Sequence, residues 1–177
     1  MNGENSLTKL VFFDVDGVLS VPRYHMDGRM TIGTTSEKWI AYCRIHGKNT
    51  YEYCTGVGPV RAYAEKRKRE GARLFVLSAV ACEEEERAKD RFIERLYPGL
   101  FEACYYVYEA ADKIPFIVNK AEAEGVTVSS CELVEDNLDV LFAANTAGIT
   151  PMHLSMLIDE GVYDPDETRN TDQAEAK

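Results

Sequence analysis

The chain has 177 residues, 45% hydrophobic and 28% charged, which is the length of one domain and the balance of a soluble protein. Its net charge of −10 and pI of about 4.8 leave no overall positive face for a phosphate backbone, which speaks against nucleic acid as a partner. No apolar run is long enough to cross a membrane as a helix, and Met1-Asn2-Gly3-Glu4-Asn5 lacks the basic and apolar regions of a signal peptide, so a cytoplasmic protein with no membrane partner is expected.

Leu10 to Phe13 is a continuous apolar run, as in a central parallel strand buried on both faces. Leu19 to Ile32 holds Asp27-Gly28, a two-residue hairpin signal, with Val21, Tyr24, Met30 and Ile32 on its arms. Ser36 to His46 reads as a short helix, capped by Ser36 and ended by Gly47. Pro59 suits a first helical position and Gly71 a C-cap, giving a helix over Pro59 to Glu70. Arg61 to Arg73 is the most basic stretch and reads as a solvated helix face.

Arg73 to Leu77 is a second strand, and Glu83 to Leu96 a helix whose first-turn glutamates suit the positive end of its dipole. Glu83 pairs with Arg87 and Glu85 with Lys89 at i,i+4 spacing, so this acidic run reads as structural and not as a metal site. Strands at Cys104 to Tyr108 and Cys131 to Val134 alternate with helices at Lys113 to Glu124 and Asn137 to Ala147, ended by Gly125 and Gly148. Ile149 to Leu154 is a last strand, and Pro151 marks it as an edge or as irregular at its end. Asp164 to Lys177 is polar and aperiodic, as in a disordered tail. Five scattered cysteines without a CxxC pair read as reduced structural residues.

Strands alternating with helices predict one α/β domain over residues 1–163, a Rossmann-like three-layer sandwich with a mainly parallel sheet. A β-hairpin flap and a small cap segment are expected within residues 19–58.

Ligands of such sheets bind beyond the carboxyl ends of the strands. The first strand delivers Asp14 and Asp16 there, on the same side while the chain stays extended. Two adjacent carboxylates need positive charge, and a hard divalent cation such as magnesium supplies it through oxygen ligands. Ser78 ends the second strand, Glu135 and Asp136 end the fourth, and Lys113 opens the helix after the third. Acids, a hydroxyl and an ammonium are thus expected at one edge.

The segment Phe13-Asp14-Val15-Asp16-Gly17-Val18 resembles the first motif of the haloacid dehalogenase superfamily. Leu74 to Ser78 is similar to its second motif, Lys113 to the lysine of its third, and Leu133-Val134-Glu135-Asp136-Asn137 to its acidic fourth. The likeness runs from about Leu10 to about Ile149 in the right order; Lys120, on the same helix, stands as a second candidate for the lysine.

The resemblance implies a phosphoric monoester hydrolase with Asp14 as nucleophile, forming an aspartyl-phosphate, and Asp16 as general acid and base. It implies magnesium held by Asp14, the Asp16 carbonyl and Asp136, with Ser78 and Lys113 on the phosphoryl oxygens. Glu135 and Asn137 are secondary site candidates, Glu135 for a metal-bound water or for orienting Lys113. Asp16 points away from dehalogenation, since a halide needs no proton and an alkoxide does.

A four-helix cap needs roughly 60 residues beyond the core connection, and the span from Asp14 to Ser78 does not hold them. The expected cap is therefore minimal: the hairpin plus residues 36–58. An open site admits a bulky phosphate or is closed by a second subunit, making a homo-oligomer. Arg23, Tyr24, His25, Trp39, His46, Tyr51 and Tyr53 are entrance candidates, with a small core beneath the loop as the plainer reading for the aromatics. A small phosphorylated metabolite or nucleotide is the expected substrate. A phosphoprotein or nucleic-acid end is one alternative, and a non-catalytic regulatory protein of the same fold is another.

Overall fold

The computed structural model describes residues 8–23 and 35–159. Strand β1 (Leu10–Phe13) leads through a tight turn to β2 (Ser20–Pro22). Helix α1 (Ser36–His46) and a 3-10 turn at Gly47–Asn49 precede β3 (Cys54–Gly56) and α2 (Gly58–Arg69). Then β4 (Arg73–Ala79), α3 (Glu83–Leu96), β5 (Ala103–Val107), α4 (Lys113–Ala123), β6 (Cys131–Glu135), α5 (Leu138–Thr146) and β7 (Thr150–His153) alternate, followed by α6 (Leu154–Asp159).

The main sheet is parallel, in the order β5-β4-β1-β6-β7. Every residue of β1 is fully buried, and alternate side chains serve two cores. Val11 and Phe13 pack with Val60 and Ala64 of α2 and Phe92 of α3. Leu10 and Phe12 pack with Ile117 and Ala121 of α4 and Val140 and Ala144 of α5. This is the three-layer α/β sandwich, and it explains why β1 shows no polar alternation. From β1 the chain builds β4 and β5 on one side, then returns over the other face to build β6 and β7 on the other side. The order reverses at β1, so a crevice opens beyond its carboxyl end, where Asp14 begins. Pro151 sits on β7, the edge strand, as its missing N–H requires.

The segment between β1 and β4 gives the first arm of the expected hairpin a partner from further along the chain. Ser20–Pro22 pairs antiparallel with Cys54–Gly56, Val21 facing Thr55, so the first arm meets a strand from beyond α1. The Asp27-Gly28 turn and the second arm lie outside the described residues, as does the expected tail. Tyr97 ties the roots of this ribbon: its hydroxyl donates to Leu19 O (2.6 Å) and accepts from Val57 N–H (3.0 Å). A Cβ on Gly56 would crowd that hydroxyl. The cap of α1 is also corrected by one residue: Thr35, with extended backbone, accepts from Lys38 N–H (3.4 Å), and Ser36 is already helical. All five cysteines are free, and burial pushes Cys43 up to about 12 and Cys131 up to about 11.

Candidate active site

Asp14 leaves the sheet with a last ladder bond, its N–H donating to Val134 O at 3.0 Å. The chain then turns tightly: Ser20 N–H donates to Val15 O (2.7 Å) and Gly17 N–H to Ser20 O (3.0 Å). Val15, Val18 and Leu19 are fully buried and anchor this turn from beneath. Gly17 has φ +74°, and a Cβ there would run into the Asp136 carboxylate. Glycine thus allows both the turn and the approach of the β6 end to the β1 end.

Asp14, Lys113 and Glu135 are all buried at this junction. Lys113 Nζ lies 2.6 Å from Glu135 Oε2 and 3.1 Å from Asp14 Oδ1. Glu135 Oε1 accepts from the N–H groups of Asp136 (3.2 Å) and Asn137 (3.1 Å), so both its oxygens are engaged. Asp14 Oδ1 makes no hydrogen bond, the one such buried side-chain atom among the described residues. Burial lifts the Asp14 carboxyl above its ordinary value; Lys113 opposes this and Glu135 adds to it. Oxygens of Asp14, Glu135 and Asp136 all fall within 4.8 Å of one another. Three carboxylates gathered around the Lys113 ammonium are the donor chemistry of a hard divalent cation. Lys120 is elsewhere: it pairs with Glu124 (2.7 Å) and lies over the Phe75 and Tyr105 rings.

Asp16 does not share the partner of Asp14, because β1 stops at Phe13 and the extended geometry stops with it. Lys89 Nζ stands 2.7 Å from Asp16 Oδ2, and the Tyr51 hydroxyl donates to Oδ1 at 2.8 Å. Lys89, fully buried, also donates to Ser78 Oγ (2.9 Å) and Ala79 O (2.5 Å) and pairs with Glu85 (3.1 Å). Glu85 is buried too, held by Ala81 N–H (2.8 Å), with the Tyr51 hydroxyl, whose hydrogen is nearer Asp16, at 3.3 Å. Burial works against the Lys89 charge, but Asp16, Glu85 and Asp14 outweigh it and hold the ammonium above its ordinary value.

Lys89 and Glu85 were not legible as site residues, while Tyr51, an entrance candidate, reaches the site through its hydroxyl on Asp16. The pattern predicts the Glu85–Lys89 pair, and the pair forms, but it faces Ser78 and Asp16 and not solvent. The exposed Glu83–Arg87 pair (3.3 Å) is the surface contact that spacing describes.

Asp14, Asp16, Ser78, Lys113, Glu135, Asp136 and Asn137 line one cleft of about 280 Å³. No family model and no curated protein matches the sequence. Among solved structures, a haloacid dehalogenase-like family hydrolase from Xanthomonas campestris superposes with TM-score 0.56 at 11% identity, over 83% of this chain and 82% of that one. The chain has the haloacid dehalogenase fold. A phosphoserine phosphatase, solved as a phospho-aspartyl intermediate analogue, has the fold at TM-score 0.55 and 12% identity, over 88% and 92% of the two chains. A phosphatase-domain structure from Bacteroides fragilis, complexed with magnesium, gives 0.51 and 16%, over 83% of this chain and 36% of that one. At these identities the likeness is one of fold.

Within the haloacid dehalogenase fold the remaining candidates have plainer roles. Asn137 caps α5, accepting from the N–H groups of Asp139 (3.0 Å) and Val140 (3.4 Å). Trp39 stacks on Tyr42 and meets Tyr51 edge-on, forming the small core beneath the segment. His46 packs on Tyr42, Arg23 is exposed with its N–H on Tyr53 O (3.0 Å), and Tyr24 and His25 lie outside the described residues. The basic stretch is largely partnered: Arg67 with Glu132 and Glu70, Arg73 with Glu102 and Glu124, and Lys68 with Gly99 O and Leu100 O.

Proposed function

We propose that the protein is a magnesium-dependent phosphatase that hydrolyses phosphate monoesters through an aspartyl-phosphate on Asp14. The observation that carries this reading is the grouping of the buried Asp14 carboxylate with Glu135 and Asp136 around the Lys113 ammonium. Asp14 attacks phosphorus as the ester P–O bond breaks with its electron pair on the leaving oxygen. Asp16 gives that oxygen a proton, then takes one from the water that attacks phosphorus and releases Asp14 with inorganic phosphate. Ser78 and Lys113 donate to the phosphoryl oxygens, and Glu135 holds Lys113 in place. The Asp14 and Asp136 carboxylates, with the Asp16 carbonyl, would hold the magnesium ion. When bound there, the ion would offset repulsion between the anionic nucleophile and the phosphate. The phospho-aspartyl analogue and the magnesium complex of the two fold neighbours support the same chemistry.

The small polar cleft favours a small phosphorylated metabolite as substrate. A macromolecular phosphate loses its charge argument, since Arg67 and Arg73 are committed to glutamates and Arg73 opens β4 at the end of the strand remote from Ser78. The test is phosphate release from a panel of monoesters, with magnesium and with chelator, for wild type and Asp14→Asn. Magnesium-dependent release that vanishes in Asp14→Asn is expected. Release that survives Asp14→Asn removes the nucleophile and the mechanism with it.

A further inference from the structure

The residue the mechanism leaves unused is Lys89, an ammonium with no exposed surface at the edge of the cleft. Its three hydrogens face four acceptors: Ser78 Oγ, Ala79 O, Asp16 Oδ2 and Glu85 Oε1. No donor is left for a substrate, so Lys89 acts through its neighbours. One neighbour is Asp16, whose side chain is 53% exposed yet tied at both oxygens, at 2.7 Å by Lys89 and at 2.8 Å by Tyr51. Each carboxylate oxygen carries a second lone pair, so a fixed Asp16 can still present a proton to the cleft. The other neighbour is Ser78, whose hydroxyl oxygen accepts from Lys89 while its own hydrogen has Ala79 O at 3.5 Å and the Asp14 carboxylate as acceptors.

The clamp is itself held. Glu85 neutralises Lys89 from the first turn of α3 and is fixed by Ala81 N–H. Tyr51 reaches Asp16 from the segment between β2 and β3, and Arg95 of α3 donates to its carbonyl at 3.1 Å. Tyr51 also packs against Phe92 of α3. One helix therefore carries Lys89 and Glu85 and anchors the segment that carries Tyr51. Surface ion pairs do not look like this: a fully buried ammonium is retained only where several acceptors hold it.

We propose that Lys89 and Tyr51 are positioning residues that clamp Asp16 for proton transfer to the leaving oxygen, with Glu85 as the counter-charge that keeps Lys89 in place. The proposal rests on the phosphatase reading of Asp16. Its signature is selective, because proton donation matters most when the leaving group is poor. The segment from α1 to β3 then serves the acid and base through Tyr51 and is more than a cover.

The experiment is steady-state hydrolysis of a series of substituted phenyl phosphates, from p-nitrophenyl phosphate, a good leaving group, to phenyl phosphate, a poor one. The variants are Tyr51→Phe, Lys89→Met and the charge-balanced pair Lys89→Met with Glu85→Gln, the last in case the single lysine variant does not fold. Tyr51→Phe should lower kcat on phenyl phosphate by about tenfold, within the range of general acid effects, and change p-nitrophenyl phosphate little, with KM unchanged. The lysine variants should steepen the dependence on leaving group further. A uniform loss across the series, or a change in KM alone, overturns the clamp and leaves the phosphatase reading standing. A wild type that turns over no member of the series, or activity that survives Asp14→Asn, overturns that reading and the clamp with it.

Discussion

Glu132 and Glu135 lie on the same strand and are both buried, yet their surroundings are built differently. Glu132 meets the Arg67 guanidinium and the Tyr63 hydroxyl, and Arg67 also bonds Tyr63 (2.9 Å) and Glu70 (3.0 Å). Every charge there has an opposite charge on it. Glu135 shares Lys113 with Asp14 and has Asp136 beside it, so three carboxylates gather around one ammonium. An odd spacing on a strand puts the two glutamates on opposite faces, the first under α2 and the second toward α4. A cluster that only holds the fold closes on itself. A cluster that awaits a cation and an anion keeps surplus carboxylate and open donors, at a cost in stability.

The comparison breaks most visibly at Asp14. Asp14→Asn should lower phosphate release by about a thousandfold or more, as removal of a nucleophile does, while the metal-free thermal midpoint does not fall. A large fall in that midpoint would mean that Asp14 belongs with the structural cluster. Arg67→Met is the mirror case. It leaves Glu132 buried without its cation and should cost about 3 kcal/mol in urea denaturation, the low end for broken buried pairs because Arg67 is partly exposed. Its kcat should match the wild type, and adding Glu132→Gln should restore most of the loss.

Magnesium separates the two clusters directly. At 100 times its Kd it should stabilise the wild type by about 2.7 kcal/mol, read as a thermal shift. Asp136→Asn should lose most of this shift and Arg67→Met should keep it; an equal response in both would place the cation elsewhere. Gly17→Ala should cost about 1–2 kcal/mol of fold stability for a left-handed residue. Because the new methyl meets Asp136, its activity should need more magnesium, measured as a raised half-saturating concentration.

The sequence by itself determined the layers of this protein and the edge at which its chemistry gathers. Continuous apolar runs such as Leu10 to Phe13 demand burial on both faces, and glycines at 47, 71, 125 and 148 mark helix ends, because both signals are local. It also carried Asp14, Ser78, Lys113, Glu135 and Asp136 to that edge, since each stands at a strand end or opens the next helix. What is not local was not legible. Spacing predicts the Glu85–Lys89 pair but not which face of α3 turns inward, and so not that its lysine meets Asp16 and Ser78. Tyr51 reads as either an entrance residue or core, and its ring is core; only packing of the segment on α3 aims its hydroxyl at Asp16. The β2–β3 pairing joins strands with α1 between them, a contact that no local signal announces. Tertiary structure alone decided which lysine serves which aspartate, since buried charges settle where the surrounding elements leave them acceptors.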